Sequence, residues 1–207
     1  MVPLFRLAPG LRLLLASASP RRRQFLEEWG LPFTLVRPGG IEPSPASGET
    51  PAAYACRAAR AKAHAAAASL TAQERTGSLI LSADTVVTLT DDILGKPHDA
   101  AHALTMLERL AGRDHNVISA VCLLLPDGQE ELFSDVSRVF FHPWPRSVLQ
   151  AYTASGEPDD KAGAYAIQGQ GAFLVERIEG SWSTVVGLPV TPLARILLER
   201  GCMLPVS

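Results

Sequence analysis

At 207 residues, with 47% hydrophobic and 19% charged side chains, the sequence has the balance of a globular protein able to bury a core, which excludes intrinsic disorder. The length is below the roughly 250 residues at which chains split into several cores, so the expectation is one domain of two lobes over residues 1–207. A net charge of −2 at pH 7 argues against a general nucleic-acid binder, which needs a basic excess to neutralise phosphates, but permits a local cluster for one small anion.

The first twenty residues superficially resemble a secretory leader, with Arg6 and Arg12 ahead of an apolar run at residues 13–16. That run is too short, and Pro9, Gly10 and Arg12 interrupt the stretch before it. No segment approaches the ~20 apolar residues of a membrane-spanning helix, so a cytoplasmic protein without a membrane partner is expected. Cys56, Cys122 and Cys202 are odd in number and far apart, which suggests reduced core thiols rather than a disulfide framework or a CxxC metal site.

Residues 13–16 read as a buried strand that hands over directly to a helix at Ser19-Pro20, with Gly30 at its end. Proline suits the first helical position because its missing N–H would be unpaired there anyway. A long loop rich in Pro, Gly and Ser covers residues 38–50. Thr50-Pro51 then opens an alanine-rich helix to about Leu70. A strand over residues 79–89 and a turn at Asp91-Asp92 precede a helix opened by Asp99, with Ala103, Leu104, Leu107 and Leu110 on one face and Gly112 past its end. Strands over residues 116–125 and 131–141 are joined by Asp127-Gly128, and a shorter helix covers residues 145–154. Strands over residues 172–178 and 182–186 flank the turn Glu179-Gly180, and Thr191-Pro192 opens a last helix over residues 193–200, before Gly201. Frequent hairpins require antiparallel pairing, and separated helices imply some parallel pairing. The predicted fold is therefore α/β, a mixed β-sheet flanked by helices.

Four segments could carry chemistry. Ser17-Ala18-Ser19-Pro20-Arg21-Arg22-Arg23 lies where a strand meets a helix N-terminus, whose unpaired N–H groups and dipole attract anions. Arginine forks can grip phosphate oxygens through two hydrogen bonds; the alternative is a capped helix with a solvated basic turn. Asp84 interrupts the apolar strand 79–89, where a carboxylate is costly unless a divalent metal or backbone amides pair with it. Lys96 in Gly95-Lys96-Pro97 cannot belong to a P-loop, because Pro97 stands where Ser or Thr is needed; it is either a ligand group or an exposed lysine. Arg57, Arg60 and Lys62 on the alanine-rich helix can form a solvated face. Residues 157–171, with Lys161, Tyr165, Gln168 and several glycines, either lay backbone and amide groups against a base or sugar or form a surface loop. There is no GxSxG elbow, no HExxH pair, no HxE with PCxxC, and no zinc-ligand spacing among the five histidines.

In order and along nearly the whole chain, these segments resemble the Maf family of nucleotide pyrophosphatases. Ser17 to Arg22 is similar to the family's SxSPRR opening, and Ile41-Glu42 matches its loop glutamate. Glu49-Thr50-Pro51-Ala52-Ala53-Tyr54, with Arg57, Ala58 and Lys62-Ala63, resembles its helix with a functional lysine. Ala83-Asp84-Thr85-Val86-Val87, Gly95-Lys96-Pro97 and residues 107–115 follow in register, then Lys161 to Gly169 and the closing Val186-Gly187-Leu188-Pro189. Ser82, Pro43 and Ala166 depart from the family pattern. The resemblance implies a Maf/ITPase-like fold of two lobes around a central cleft, and hydrolysis of a nucleoside triphosphate between its α and β phosphates. It implies Mg²⁺, or another divalent cation such as Mn²⁺, held by Glu42 and Asp84, either of which activates water. Ser17, Ser19, Arg21, Arg22, Lys62 and Lys96 would hold the phosphates. Lys161 and Gln168 belong to the segment carried by the branch that acts on dTTP and UTP, which points to these, or modified pyrimidine nucleotides, rather than 7-methyl-GTP. A small-molecule triphosphate is the implied partner, and a homodimer is left open. The competing reading is a nucleotide-sensing regulator of growth or division that binds triphosphates without turnover.

Overall fold

The computed structural model describes residues 2–37, 39 and 43–206. Strands β1 (Phe5–Leu7) and β2 (Arg12–Leu15) lead into α1 (Pro20–Glu28) and β3 (Phe33–Leu35). The alanine-rich α2 (Pro51–Ala68) and the single turn α3 (Ala72–Arg75) precede the long strand β4 (Ser78–Leu89), its partner β5 (Asp92–Leu94) and α4 (Ala100–Leu110). A hairpin of β6 (Asp114–Leu124) and β7 (Glu130–Phe141) is followed by α5 (Arg146–Thr153). Short 3-10 segments at Glu157–Asp160, Ala162–Ala164 and Gly169–Leu174 lead to β8 (Val175–Glu179), α6 (Trp182–Val186), α7 (Val190–Glu199) and β9 (Met203–Pro205).

Seven strands form one mixed sheet in the order β3-β2-β4-β6-β7-β8, with β5 on β4, while β1 pairs with β9. β2 runs parallel to β3 and β4, each joined to it through helical connections, and the other neighbours are antiparallel. The observed fold is thus the mixed α/β sheet with flanking helices that the hairpin and helix signals imply.

The site follows from how β4 is covered. Along one edge it pairs with β6 from Ile80 to Thr88. Along the other, β2 reaches only residues 78–81 and β5 only residues 87–89, so among the described residues the edge at 82–86 meets no strand. α1 begins beside this opening, at the carboxyl end of β2. In α/β sheets, that is where ligands enter.

On one face of the sheet, Leu79, Leu81 and Ala83 pack with Val121, Leu123, Phe25 and Leu193. Farther along the same face, Val87 and Val117 pack with Leu104, Leu107 and Leu149 from α4 and α5. Each such leucine contributes roughly 2 kcal/mol by leaving water. Between the two clusters the alternation brings Thr85 and Ser119 opposite each other on β4 and β6. The other face takes α2, capped by Thr50 Oγ1, which accepts from Ala53 N at 3.3 Å. Ala55, Ala58, Ala59, Ala63 and Ala66 are buried, and their small side chains let the helix lie close to Val86, Ile118 and Cys122. Ser82 pins it there, donating to Ala59 O at 2.7 Å. The three cysteines are free, with Cys122 and Cys202 buried; burial pushes the Cys122 thiol up to about 12.

Three expectations need correction. Residues 182–186, expected as a strand because Trp, Thr and Val favour sheets, form α6 instead. Gly180 and Gly187 adopt positive φ at its two ends, and Val185 N and Gly187 N close helical bonds to Ser181 O and Ser183 O. The strand expected over residues 172–178 begins only at Val175, since residues 169–174 are a 3-10 segment. α7 starts at Val190 rather than after Pro192; proline fits there because the first-turn N–H groups have no intrahelical acceptor.

His115 on β6 is buried edge-on against Phe141 and Tyr165, with its Nε2 2.8 Å from the Tyr165 hydroxyl. Burial pulls its pKa down to about 4 from 6.5. With the folded-state value depressed, the unfolded chain binds more protons between those pH values, so stability is complete above pH 6.5 and is lost as pH falls toward 4. The expected loss is roughly 2–4 kcal/mol. Urea unfolding at pH 7, 5.5 and 4 should show it in the wild type, and His115→Gln should flatten the decline.

Candidate active site

The opening beside β4 continues into a cleft of about 600 Å³. Its floor begins at the first turn of α1, where Ser19 is the N-cap but makes no side-chain capping bond, and where the turn carries no acid. The N–H groups of Arg21 and Arg22 precede the first intrahelical bond, from Arg23 N to Ser19 O at 3.3 Å. Ser17 Oγ accepts from Ser19 N at 3.2 Å and from Arg22 Nη1 at 3.1 Å, which fixes the approach to the helix and leaves its own hydroxyl hydrogen to donate. The result is an anion-attracting helix start with a basic first turn.

The two arginines do different things. Arg21 Nε donates to Val186 O at 3.3 Å, at the end of α6. Arg22 points inward and spends its fork on the protein: Nε donates to Gly187 O at 2.8 Å, Nη1 to Ala83 O at 2.8 Å, and Nη2 to Thr85 Oγ1 at 3.0 Å. The bond to Ala83 O satisfies part of the β4 edge that no strand covers. Ser119 Oγ donates to Thr184 O at 2.8 Å and so accepts from Thr85 Oγ1, also at 2.8 Å. Thr184 Oγ1 in turn donates to Asp135 Oδ2 at 2.5 Å on β7. This polar seam crosses the sheet between the two apolar clusters and ties α1 and α6 to the strands. Arg22 thus braces the sheet edge, and it also lines the cleft.

On the opposite face of β4, Asp84 is buried, its side chain 7% exposed. Lys62 lies on the same face of α2 as Ala55, Ala58, Ala59 and Ala66 by helical periodicity, so it too points at the sheet. Their charges meet, Lys62 Nζ to Asp84 Oδ1 at 2.5 Å. Each explains how the other can sit in apolar surroundings. Arg57 and Arg60, by contrast, pair with Glu49 and Glu130 and are not among the residues lining this cleft.

The far wall comes from the loop after β5 and from residues 160–167. Lys96 is exposed and lines the cleft. Its loop is held by Gly163 N, which donates to Gly95 O at 3.1 Å. Gly163 has φ +69°, and a Cβ there would come within 2.9 Å of Val87. Lys161 pairs with Asp160, and that contact, with Arg21 nearby, holds the Asp160 carboxyl below the usual range. Apolar residues also contribute to the lining, with Val87, Val117, Ala166 and Ile167 prominent. Ser17, Ser19, Arg21, Arg22, Lys62, Asp84, Lys96 and Lys161 all line this cleft. Gln168 is half-buried and is not among the lining residues. Glu42 lies outside the described residues. Arg37, Thr85 and Asp160 also line the cleft without having been singled out in the sequence; only Thr85 carried a signal, as a polar residue facing inward from an apolar strand.

If Arg22 is a brace, Arg22→Lys removes a fork that no ammonium reproduces. Chemical denaturation should show a loss of roughly 2–3 kcal/mol without any ligand, whereas a residue serving only to grip substrate would leave apo stability unchanged.

Residues 12–200 match the model of the family described as Maf-like protein. A dTTP/UTP pyrophosphatase of Nitratidesulfovibrio vulgaris is 55% identical over 198 residues, covering 94% of this chain and 92% of that protein. The dTTP/UTP pyrophosphatases of Oleidesulfovibrio alaskensis and Myxococcus xanthus are 49% and 46% identical, covering 93% of this chain in both cases and 87% and 94% of those proteins. The structure of a HAM1 protein from Coxiella burnetii is a looser likeness, at 18% identity and a TM-score of 0.48 over 91% of this chain and 99% of that one. A match over most of the length, with relatives at this level of identity, places the chain in the Maf family.

Proposed function

We propose that this chain is a nucleoside triphosphate pyrophosphatase that hydrolyses dTTP and UTP, or modified pyrimidine nucleotides, to the monophosphate and pyrophosphate with Mg²⁺ or another divalent cation such as Mn²⁺. The observation that carries this reading is the convergence of Arg21, Lys62, Lys96 and Lys161, from separate segments, on one cleft that also holds the buried Asp84. The activity named for relatives at 46–55% identity agrees with it. No helix among the described residues is long and apolar enough to cross a membrane, and a cytoplasmic enzyme would meet the nucleotide pool directly.

Asp84 fits a magnesium ligand. Mg²⁺ takes oxygen donors, keeps several waters, and is commonly held by one or two carboxylates together with substrate phosphates. Asp84 is a carboxylate fixed by strand geometry and by Lys62, and Glu42 is the second donor this reading calls for. When bound, the cation supplies charge neutralisation and a more acidic water.

The chain's own groups do the rest by position and charge. The start of α1, with Ser17, Ser19 and Arg21, receives phosphate oxygens. Lys62 neutralises charge beside Asp84 and holds its carboxylate in one orientation. Asp84 or Glu42 orients the attacking water toward the α phosphorus, and Lys96 faces the departing pyrophosphate across the cleft. Arg22, which lines the cleft, adds positive charge from the frame it braces. The apolar residues Val87, Val117, Ala166 and Ile167 accept the base, with Gln168 next in the chain.

With Mg²⁺, dTTP or UTP should yield equimolar nucleoside monophosphate and pyrophosphate; release of orthophosphate with a diphosphate would refute the cleavage position. Stable binding of intact triphosphate without turnover would mark a sensor instead. Asp84→Asn should lower kcat by on the order of a hundredfold or more while leaving the circular dichroism spectrum unchanged, and wild-type rates in that variant would remove Asp84 from the reaction.

A further inference from the structure

The segment after Lys161 wraps around two side chains that do not line the cleft. Glu157 accepts from Gln170 N at 3.0 Å through Oε1 and from Gly171 N at 2.8 Å through Oε2. Tyr152, buried on α5, accepts from Ala166 N at 3.2 Å and shares a hydrogen bond with Glu157. The backbone is drawn in so tightly that a Cβ at Gly171 would stand 2.5 Å from the Tyr152 hydroxyl and 2.6 Å from Ala166 O. Residues 166–171 are therefore anchored at both ends by one carboxylate and one phenol. Ala166 and Ile167, inside that anchored stretch, form part of the apolar wall of the cleft.

A nucleoside triphosphate has one strongly anionic end and one flat, weakly polar end. Arg21, Lys62, Lys96 and Lys161 supply the charge around the cleft, and Ala166 and Ile167 belong to its apolar lining, the surface suited to a base. We infer that Glu157, together with Tyr152, is a positioning residue for base recognition: it fixes the backbone that the pyrimidine meets, and so sets base preference without touching substrate. The inference rests on the nucleotide reading of the cleft given above.

Glu157→Gln keeps one acceptor oxygen but turns an NH₂ group toward a backbone N–H, and Tyr152→Phe removes only the hydroxyl. In Glu157→Gln, KM for dTTP should rise about tenfold with kcat within about twofold, a difference of roughly 1.4 kcal/mol in transition-state binding. The preference for dTTP over dGTP should fall, while competitive inhibition by inorganic tripolyphosphate, which has no base, stays at the wild-type level. Tyr152→Phe should shift the same quantities in the same direction by a smaller factor. A merely structural role would lower melting temperature and active fraction, reducing kcat with KM and base preference unchanged. That pattern in both variants, or weakening of tripolyphosphate in parallel with dTTP, overturns the inference. If the wild-type chain neither binds nor turns over dTTP, the nucleotide reading itself is removed, and the inference with it.

Discussion

The hydrogen bonds of Arg22 are the constraint on which the site depends. A mid-strand stretch of β4 that, among the described residues, has no strand on one of its edges exposes backbone acceptors that must be satisfied. A guanidinium meets the need better than any other side chain because its donors diverge in a plane toward several acceptors at once. By reaching Ala83 O, Thr85 Oγ1, Ser17 Oγ and Gly187 O, it locks the strand, the approach to α1 and the exit from α6 into one frame. The mouth of the cleft stays open because a side chain, rather than another strand, completes the sheet there.

The Lys62 and Asp84 pair is the second fixed point, on the other face. Bringing a lysine and an aspartate out of water is costly, and pairs of this kind seldom stabilise a fold more than apolar replacements would. Their presence in an alanine stripe and an apolar strand is therefore not explained by stability alone. The alanines around Lys62 keep α2 close enough to β4 for the two charges to meet.

Much of this architecture is legible in the chain itself. Pro20, Thr50-Pro51 and Asp99 each mark a helix start that the structure adopts, because the caps are local chemistry. Asp84 announces itself as an acid among apolar neighbours. Arg22 does not, since its acceptors at Ala83, Thr85 and Gly187 lie far away in sequence, and a basic first turn looks the same whether it faces solvent or sheet. Residues 182–186 mislead for a related reason: their β-branched side chains favour a strand, and only the seam contacts of Thr184 reveal why a helix is retained. Glu157 is silent as well, one acid among several in a polar stretch, until the backbone folds round it.

The interrupted edge of β4 has a further consequence for how such a mouth can change. Its width is measured in strand residues, about 3.3 Å each, between the last rung of β2 and the first rung of β5. Lengthening either strand by a pair of residues would cover two of the five positions and narrow the gap, whereas trimming one would widen it in equally coarse steps. The aperture is thus a digital dimension of the sheet, one that variation in the surrounding loops leaves untouched.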